Sequence, residues 1–175
     1  MESFSLTTAR LVLKSTTPEI AAADLHDANE FSRLLGADVA DDWPPPLNDE
    51  NSQQYTLHYV TENPDAAGWA TWYFLLSRDG RLRAIGIGGF KGKPSADGMV
   101  EVGYSIMPEY QERGYASEAV ARLVEWAFSH AEVELVTAET LPELVKSIRV
   151  LEKNSFRFLG EGSEAGVVRY GRNRA

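Results

Sequence analysis

The 175-residue sequence predicts an α+β fold, sandwich-like, in which about four helices flank a mixed, mostly antiparallel sheet. Three features predict it. Residues 70 to 107 hold three strand-like runs joined by short turns, the pattern of an antiparallel meander. Residues 99 to 139 then read strand, helix, strand, which requires one parallel pairing through a right-handed crossover. The composition, 43% hydrophobic and 25% charged, is that of an ordinary globular chain, and residues 1–175 are expected to form a single domain.

In chain order, Thr7 to Ser15 reads as a first strand, with Leu11 and Leu13 alternating against polar neighbours. Thr17-Pro18-Glu19 signals a helix start, cap followed by proline, and that helix runs to Leu35, where Gly36 ends it. Asp41 to Pro46 (DDWPPP) is neither helix nor central strand, because three prolines remove donors and fix φ. Asn48 to Glu62 is a second helix. Ala70 to Ser77 is an aromatic strand, Arg78-Asp79-Gly80-Arg81 a hairpin turn, and Leu82 to Phe90 the returning strand. Gly86, Gly88 and Gly89 lie inside that strand with no helix after them, so they read as packing or bulge glycines. Met99 to Met107 is the third strand, closed by Pro108. Ala116 to His130 and Glu143 to Asn154 are helices on either side of a strand at Val133 to Glu139. Phe156 to Leu159 and Val167 to Tyr170 are closing strands.

Charge and cysteine count remove several function classes. Seventeen basic against 26 acidic residues give a net charge of −9, the opposite of the basic footprint that duplex binding needs. No direct nucleic-acid partner is expected. The acidic run from Asp24 to Glu50 reads either as a solubilising surface or as a field that attracts amines. The absence of cysteine excludes disulfides, thiolate zinc sites, iron–sulfur clusters and a cysteine nucleophile. His26, His58 and His130 have no ligand spacing, so no metal is expected. The N-terminus has no signal-peptide pattern and no run approaches ~18 apolar residues, so a cytoplasmic location away from membranes is expected.

The segment that carries chemistry is Pro108-Glu109-Tyr110-Gln111-Glu112-Arg113-Gly114-Tyr115-Ala116-Ser117-Glu118, which joins a strand end to a helix start. Gly114 can take φ values closed to other residues, and the helix N-terminus leaves amides unpaired with partial positive charge. Such a turn suits a pyrophosphate, or it is a plain strand-to-helix turn. It is neither a P-loop nor a dinucleotide fingerprint.

Taken with its surroundings, this segment resembles the GNAT superfamily of acyl-CoA-dependent N-acyltransferases, and within it the RimJ/RimL-like branch of ribosomal-protein N-terminal acetyltransferases. TARLVLKS, VEVGYSIMPEYQERGYASEAV, VELVTAE and SIRVLEKNSF carry the resemblance in order, and QERGYA matches the family's Q/R-x-x-G-x-G/A loop. The resemblance implies a GNAT-type sheet whose parallel seam is splayed, and acetyl-CoA as cosubstrate. Ser105, Ile106 and Met107 would offer backbone groups to the pantetheine arm. The amides of Gln111, Glu112, Arg113, Gly114, Tyr115 and Ala116, with Ser117 behind them, would take the pyrophosphate. It further implies an N-acetyltransferase that acetylates a primary amine (protein N-terminus, amino acid or small amine) by direct attack in a ternary complex. A non-catalytic CoA-binding sensor of the same fold is the alternative. Leu144 and Leu151 stand where relatives often have Asn and a tyrosine acid, and Ser155 replaces the usual Gly.

The candidate active-site groups each have a plain structural reading beside them. Glu101, on the strand expected beneath the acetyl group, is the candidate base and amine ligand, or a solvent-facing strand residue. Ser147 is a donor to the thioester, or a helix serine bonding its own backbone. Ile106 N–H is the expected oxyanion donor by the same resemblance, while Tyr104 and Tyr115 read as core or groove-wall aromatics rather than as acids. By the same resemblance Trp43, in DDWPPP, would wall the acceptor site and Asp41 or Asp42 would hold its ammonium; the plain reading is a loop plug over the core. Monomer and homodimer are both open.

Overall fold

The computed structural model describes residues 1–175, arranged as one eight-stranded sheet with five helices. The strands are β1 (Ser5–Thr7), β2 (Leu11–Ser15), β3 (Thr71–Arg78), β4 (Arg81–Phe90), β5 (Met99–Ile106), β6 (Leu135–Thr140), β7 (Arg157–Glu161) and β8 (Val168–Asn173). The helices are α1 (Pro18–His26), α2 (Ala28–Leu35), α3 (Glu50–Glu62), α4 (Tyr115–Phe128) and α5 (Val145–Lys153). Strand order is β1-β2-β3-β4-β5-β6-β8-β7, antiparallel throughout except for β5 against β6. The expected meander and the single parallel seam are both present.

Two elements differ from expectation, each for a local polar reason. The first strand is a hairpin. Thr8 N–H donates to the Leu11 carbonyl across a turn, and Glu118 of α4 holds that turn through Thr8 Oγ1 (2.6 Å) and Arg10 N (2.8 Å). The long helix after Thr17 is two helices. Asp27 leaves helical conformation, its N–H closes α1 on the Ala23 carbonyl, and its carboxylate accepts from Asn29 N and Glu30 N to start α2. The helices therefore number five rather than four.

The run Trp72-Tyr73-Phe74-Leu75 is buried on both sides because alternate residues feed two cores. Trp72 and Phe74 join Leu11, Leu13, Val102 and Leu123 under α4; Tyr73 and Leu75 join Ile20, Phe31 and Leu35 under α1 and α2. Burying a residue such as Phe74 contributes roughly 1.5–3 kcal/mol. Gly86 lets the strands close over this core: a Cβ there would lie 2.6 Å from Ile106 Cδ1 and 2.8 Å from the Ser105 carbonyl. Opposite Phe74 and Leu75 the β3–β4 register slips by one residue, a bulge at Ile85 whose carbonyl accepts from Met107 N. No helix is long and apolar enough to cross a membrane.

Candidate active site

The parallel seam is short. β5 and β6 are in register only at Met99–Leu135, Val100–Val136 and Glu101–Thr137, and beyond Glu101 the two strands part. A cleft of about 1540 Å³ opens there, between the α3 side of the sheet and the start of α4 with α5.

Strand geometry decides which backbone groups face the opening. Met107 N donates to Ile85 O and Lys91 N to Glu101 O, so odd-numbered residues of β5 direct their N–H and C=O groups toward β4. Tyr104 and Ile106, between them, direct theirs toward the seam, where no strand is paired. This corrects the expectation for Ser105 and Met107, whose main chains are turned to β4. The Ser105 side chain instead donates to the Pro46 carbonyl at 2.6 Å and ties the DDWPPP segment across β5.

The turn after β5 is a nest of amides. Gly114 is left-handed (φ 84°), caps α4 and gives the helix no side-chain cap. No hydrogen bond within the chain engages the amides of Glu112 to Ser117, while the Gln111 amide is occupied by the Pro108 carbonyl. Gln111 therefore takes part through its side chain, whose Nε2 holds the Ile106 carbonyl at 3.0 Å. A run of unengaged amides at a helix N-terminus suits an anion. Arg113 is turned away from the cleft, and its carbonyl accepts from Arg10 Nη1 at 3.0 Å. Arg10 also covers the Tyr115 ring at 4.4 Å and pairs with Glu118 at 2.7 Å. Burial alone would raise the Glu118 pKa, but hydrogen bonds from Thr8 and Arg10 hold it below the usual carboxylate range. The cleft receives Lys146, Arg149 and Lys153 from α5, of which Lys146 pairs with Glu112 at 3.0 Å.

At the seam, Tyr104 Oη lies 3.0 Å from the Ser147 carbonyl and 3.1 Å from Ser147 Oγ. Burial pushes the phenol up to about 12 against the Ser147 hydrogen bond, so it keeps its proton at neutral pH. Ser147 thus stands where the sequence puts it, and Tyr104, read there as a wall, joins it. The readable signal is alternation: Tyr104 shares a face with Val100, Val102 and Ile106, and its hydroxyl is the one polar tip on it. At the far end of α5, Asn154 Nδ2 reaches the Ser117 carbonyl and hydroxyl at 3.2 Å each, and locks the end of α5 to the start of α4.

Three expected residues lie elsewhere. Glu101 is not among the residues that line the cleft and is bound by Lys91 Nζ, which does line it, so its carboxylate is tied to a cation at the cleft's edge. Asp42 is exposed outside the cleft. Trp43 plugs the core under α1 and α2, packed on Phe31 and Tyr73 at ring distances of 5.7 and 6.4 Å, with Nε1 on Asp24 Oδ1 at 2.8 Å. The rim of the cleft is apolar on both sides: Leu47 (87% exposed) and Tyr55 on one lip, Leu141, Leu144 and Val145 on the other.

Comparison with known proteins gives a consistent match. A family model described as an acetyltransferase (GNAT) domain matches residues 10–157. The uncharacterized N-acetyltransferase YjdG of Bacillus subtilis (strain 168) is 28% identical over 154 residues, 86% of this chain and 88% of the relative. The ribosomal-protein-S5-alanine acetyltransferase of Vibrio fischeri superposes with a TM-score of 0.67 at 17% identity, covering 97% of this chain and 96% of the other. RimL, a ribosomal L7/L12 alpha-N-protein acetyltransferase solved in complex with coenzyme A, superposes with a TM-score of 0.64 at 17% identity over 98% of each chain.

Proposed function

This chain belongs to the GNAT acetyltransferase family, and on that premise we propose that it moves an acetyl group from acetyl-CoA to a primary amine by direct attack in a ternary complex. The observation that carries the reading is the open seam, with main-chain groups of Tyr104 and Ile106 on one side and the unengaged amides of Glu112 to Ser117 at its mouth. The donor set fits the ligand. Seam backbone suits the amide-bearing pantetheine, the amide nest suits the pyrophosphate, and Arg149 and Lys153 suit the remaining phosphate. When bound, acetyl-CoA supplies an activated thioester.

The chain's own groups then have three tasks. An oxygen that gains negative charge needs a fixed donor, and the Ile106 N–H faces the seam. A departing thiolate needs a proton, and Tyr104, protonated at neutral pH and steadied by Ser147, holds one beside the seam in place of the tyrosine that Leu151 lacks. The amine must lose a proton, for which Glu101 is badly sited. The apolar rim favours an acceptor with an apolar or peptide portion next to its amine, such as a protein N-terminus.

Thiol release from acetyl-CoA is to be measured across peptides with free N-termini, free amino acids, and alkyl- and arylalkylamines, beside calorimetry with CoA. Turnover of at least one amine class with CoA binding is expected. Folded protein that takes up no CoA overturns the reading; CoA binding without turnover reduces it to a binding module.

A further inference from the structure

Beside the cleft lies a second, smaller cavity of about 20 Å³, room for one water molecule. Asn48, Ser52, Thr56, Thr71 and Ile87 line both cavities, so the small one is a pit on the α3 side of the cleft. At its bottom are Asp24, Gln53 and Tyr73. Asp24 Oδ1 accepts from Trp43 Nε1 at 2.8 Å and from Gln53 Nε2 at 3.1 Å, and Oδ2 accepts from Tyr73 Oη at 3.0 Å. At the mouth, the hydroxyls of Thr56 and Thr71 are 3.1 Å apart.

Every group that holds Asp24 is neutral. The charged groups of the packed elements are directed elsewhere. Glu30 and Arg33 of α2 pair with each other, as do His58 and Glu62 of α3. Lys14 of β2 reaches the Leu34 carbonyl, and Glu19 and His26 of α1 and Glu50 of α3 are exposed. β3 presents only Tyr73. A partly buried carboxylate without a cationic partner is poorly compensated. It leaves negative potential aimed at one small polar opening.

We propose that Asp24 is the proton acceptor for the incoming amine, acting through a single water in the pit between it and the Thr56–Thr71 hydroxyl pair. The inference rests on the acetyltransferase reading and names the base that Glu101 does not provide. The acceptor's ammonium gives its proton to the water, which passes one to Asp24. The neutral amine then attacks the thioester carbonyl; as the carbon–sulfur bond breaks, the sulfur leaves with the Tyr104 proton, and the nitrogen's second proton is released to the cleft water and restores the phenol. Asp24 takes the proton through the water and does not touch the amine itself. Burial raises the Asp24 pKa against its three hydrogen bonds, in keeping with a group that accepts a proton in the cleft.

Two measurements test this. A high-resolution crystal structure of the full chain is expected to show one water bonded to Asp24 in the pit; a dry pit overturns the relay whether or not the chain transfers acetyl groups. The pH dependence of kcat/KM is then compared for wild type, Asp24→Asn and Tyr73→Phe, with the panel amine that the wild type turns over fastest. In Asp24→Asn, kcat/KM at neutral pH is expected to fall about 10²-fold or more, and the low-pH limb to move up to the amine's own pKa. In Tyr73→Phe, the carboxylate loses a donor and the limb moves to higher pH, a shift that a purely structural role would not produce. CoA affinity by calorimetry is expected to stay within threefold in both. Unmoved limbs with that affinity intact overturn the proposal. Loss of CoA binding in the wild type itself instead sinks the acetyltransferase reading.

Discussion

Tyr104 and Asp24 are the two residues hardest to find in the sequence, and both are polar tips set in apolar surroundings. Removing the Tyr104 hydroxyl is expected to lower kcat by about 10²-fold with little change in CoA affinity, since the ring still fills its place between β5 and α5. Steady-state kinetics of Tyr104→Phe beside calorimetry check this; an unchanged kcat removes it as the thiolate's donor. Asp24 also makes a stability prediction. Its folded pKa is raised above the ordinary carboxylate value, so between the two values the folded chain binds more protons than the unfolded one. Stability therefore falls as pH rises through that window. An asparagine side chain cannot ionise, so Asp24→Asn is expected to melt above wild type at pH 7 and to lose that advantage as the pH drops below the ordinary carboxylate range. Melting scans at several pH values decide it. Ser147 is legible because its spacing on α5 is fixed by helix period. The sequence leaves two readings open for Glu101 and for the Trp43 segment, and it does not choose between them. One lysine neutralises Glu101, and the proline-rich segment folds Trp43 inward onto Phe31 while Asp42 stays outside. No local pattern reports either contact.

At the scale of elements, the sequence reports what short-range physics controls. The Asp79–Gly80 turn has positive φ at both residues, as its composition requires, and the double-sided burial of β3 follows from an unbroken apolar run. Asp27 and Glu30 have the spacing of a capping box, the local signal for the break between α1 and α2. Replacing Asp27 by Ala is expected to cost about 1 kcal/mol, measured by urea unfolding, with the cleft undisturbed. Gly114 is different, since fold and ligand binding meet there. Its left-handed conformation costs an alanine roughly 1–2 kcal/mol, and the added Cβ would sit 3.2 Å from Arg10 Nη2. Gly114→Ala is expected to weaken CoA binding about tenfold by calorimetry; full affinity would show that the amide run does not hold the pyrophosphate.

For the molecule as a whole, the order of the central strands follows from the three strand-like runs between residues 70 and 107 and the strand, helix and strand after them. The register at which β5 and β6 separate does not, because it depends on long-range contacts of both strands with helices packed behind them. CoA at about 100 times its Kd is expected to raise stability by about 2.7 kcal/mol, a melting shift of roughly 5–10 °C. The three-residue seam has a mechanical corollary. Strands β1 to β5 are laced together by antiparallel ladders, as is the trio β6, β8 and β7, yet only three rungs join the two blocks edge to edge. A pantetheine lying in the gap would act as the missing rungs and stitch one block to the other. Deuterium uptake at Thr137 to Thr140 and at Val102 to Ile106 should then slow in concert when coenzyme A arrives, and far less in strands outside the wedge.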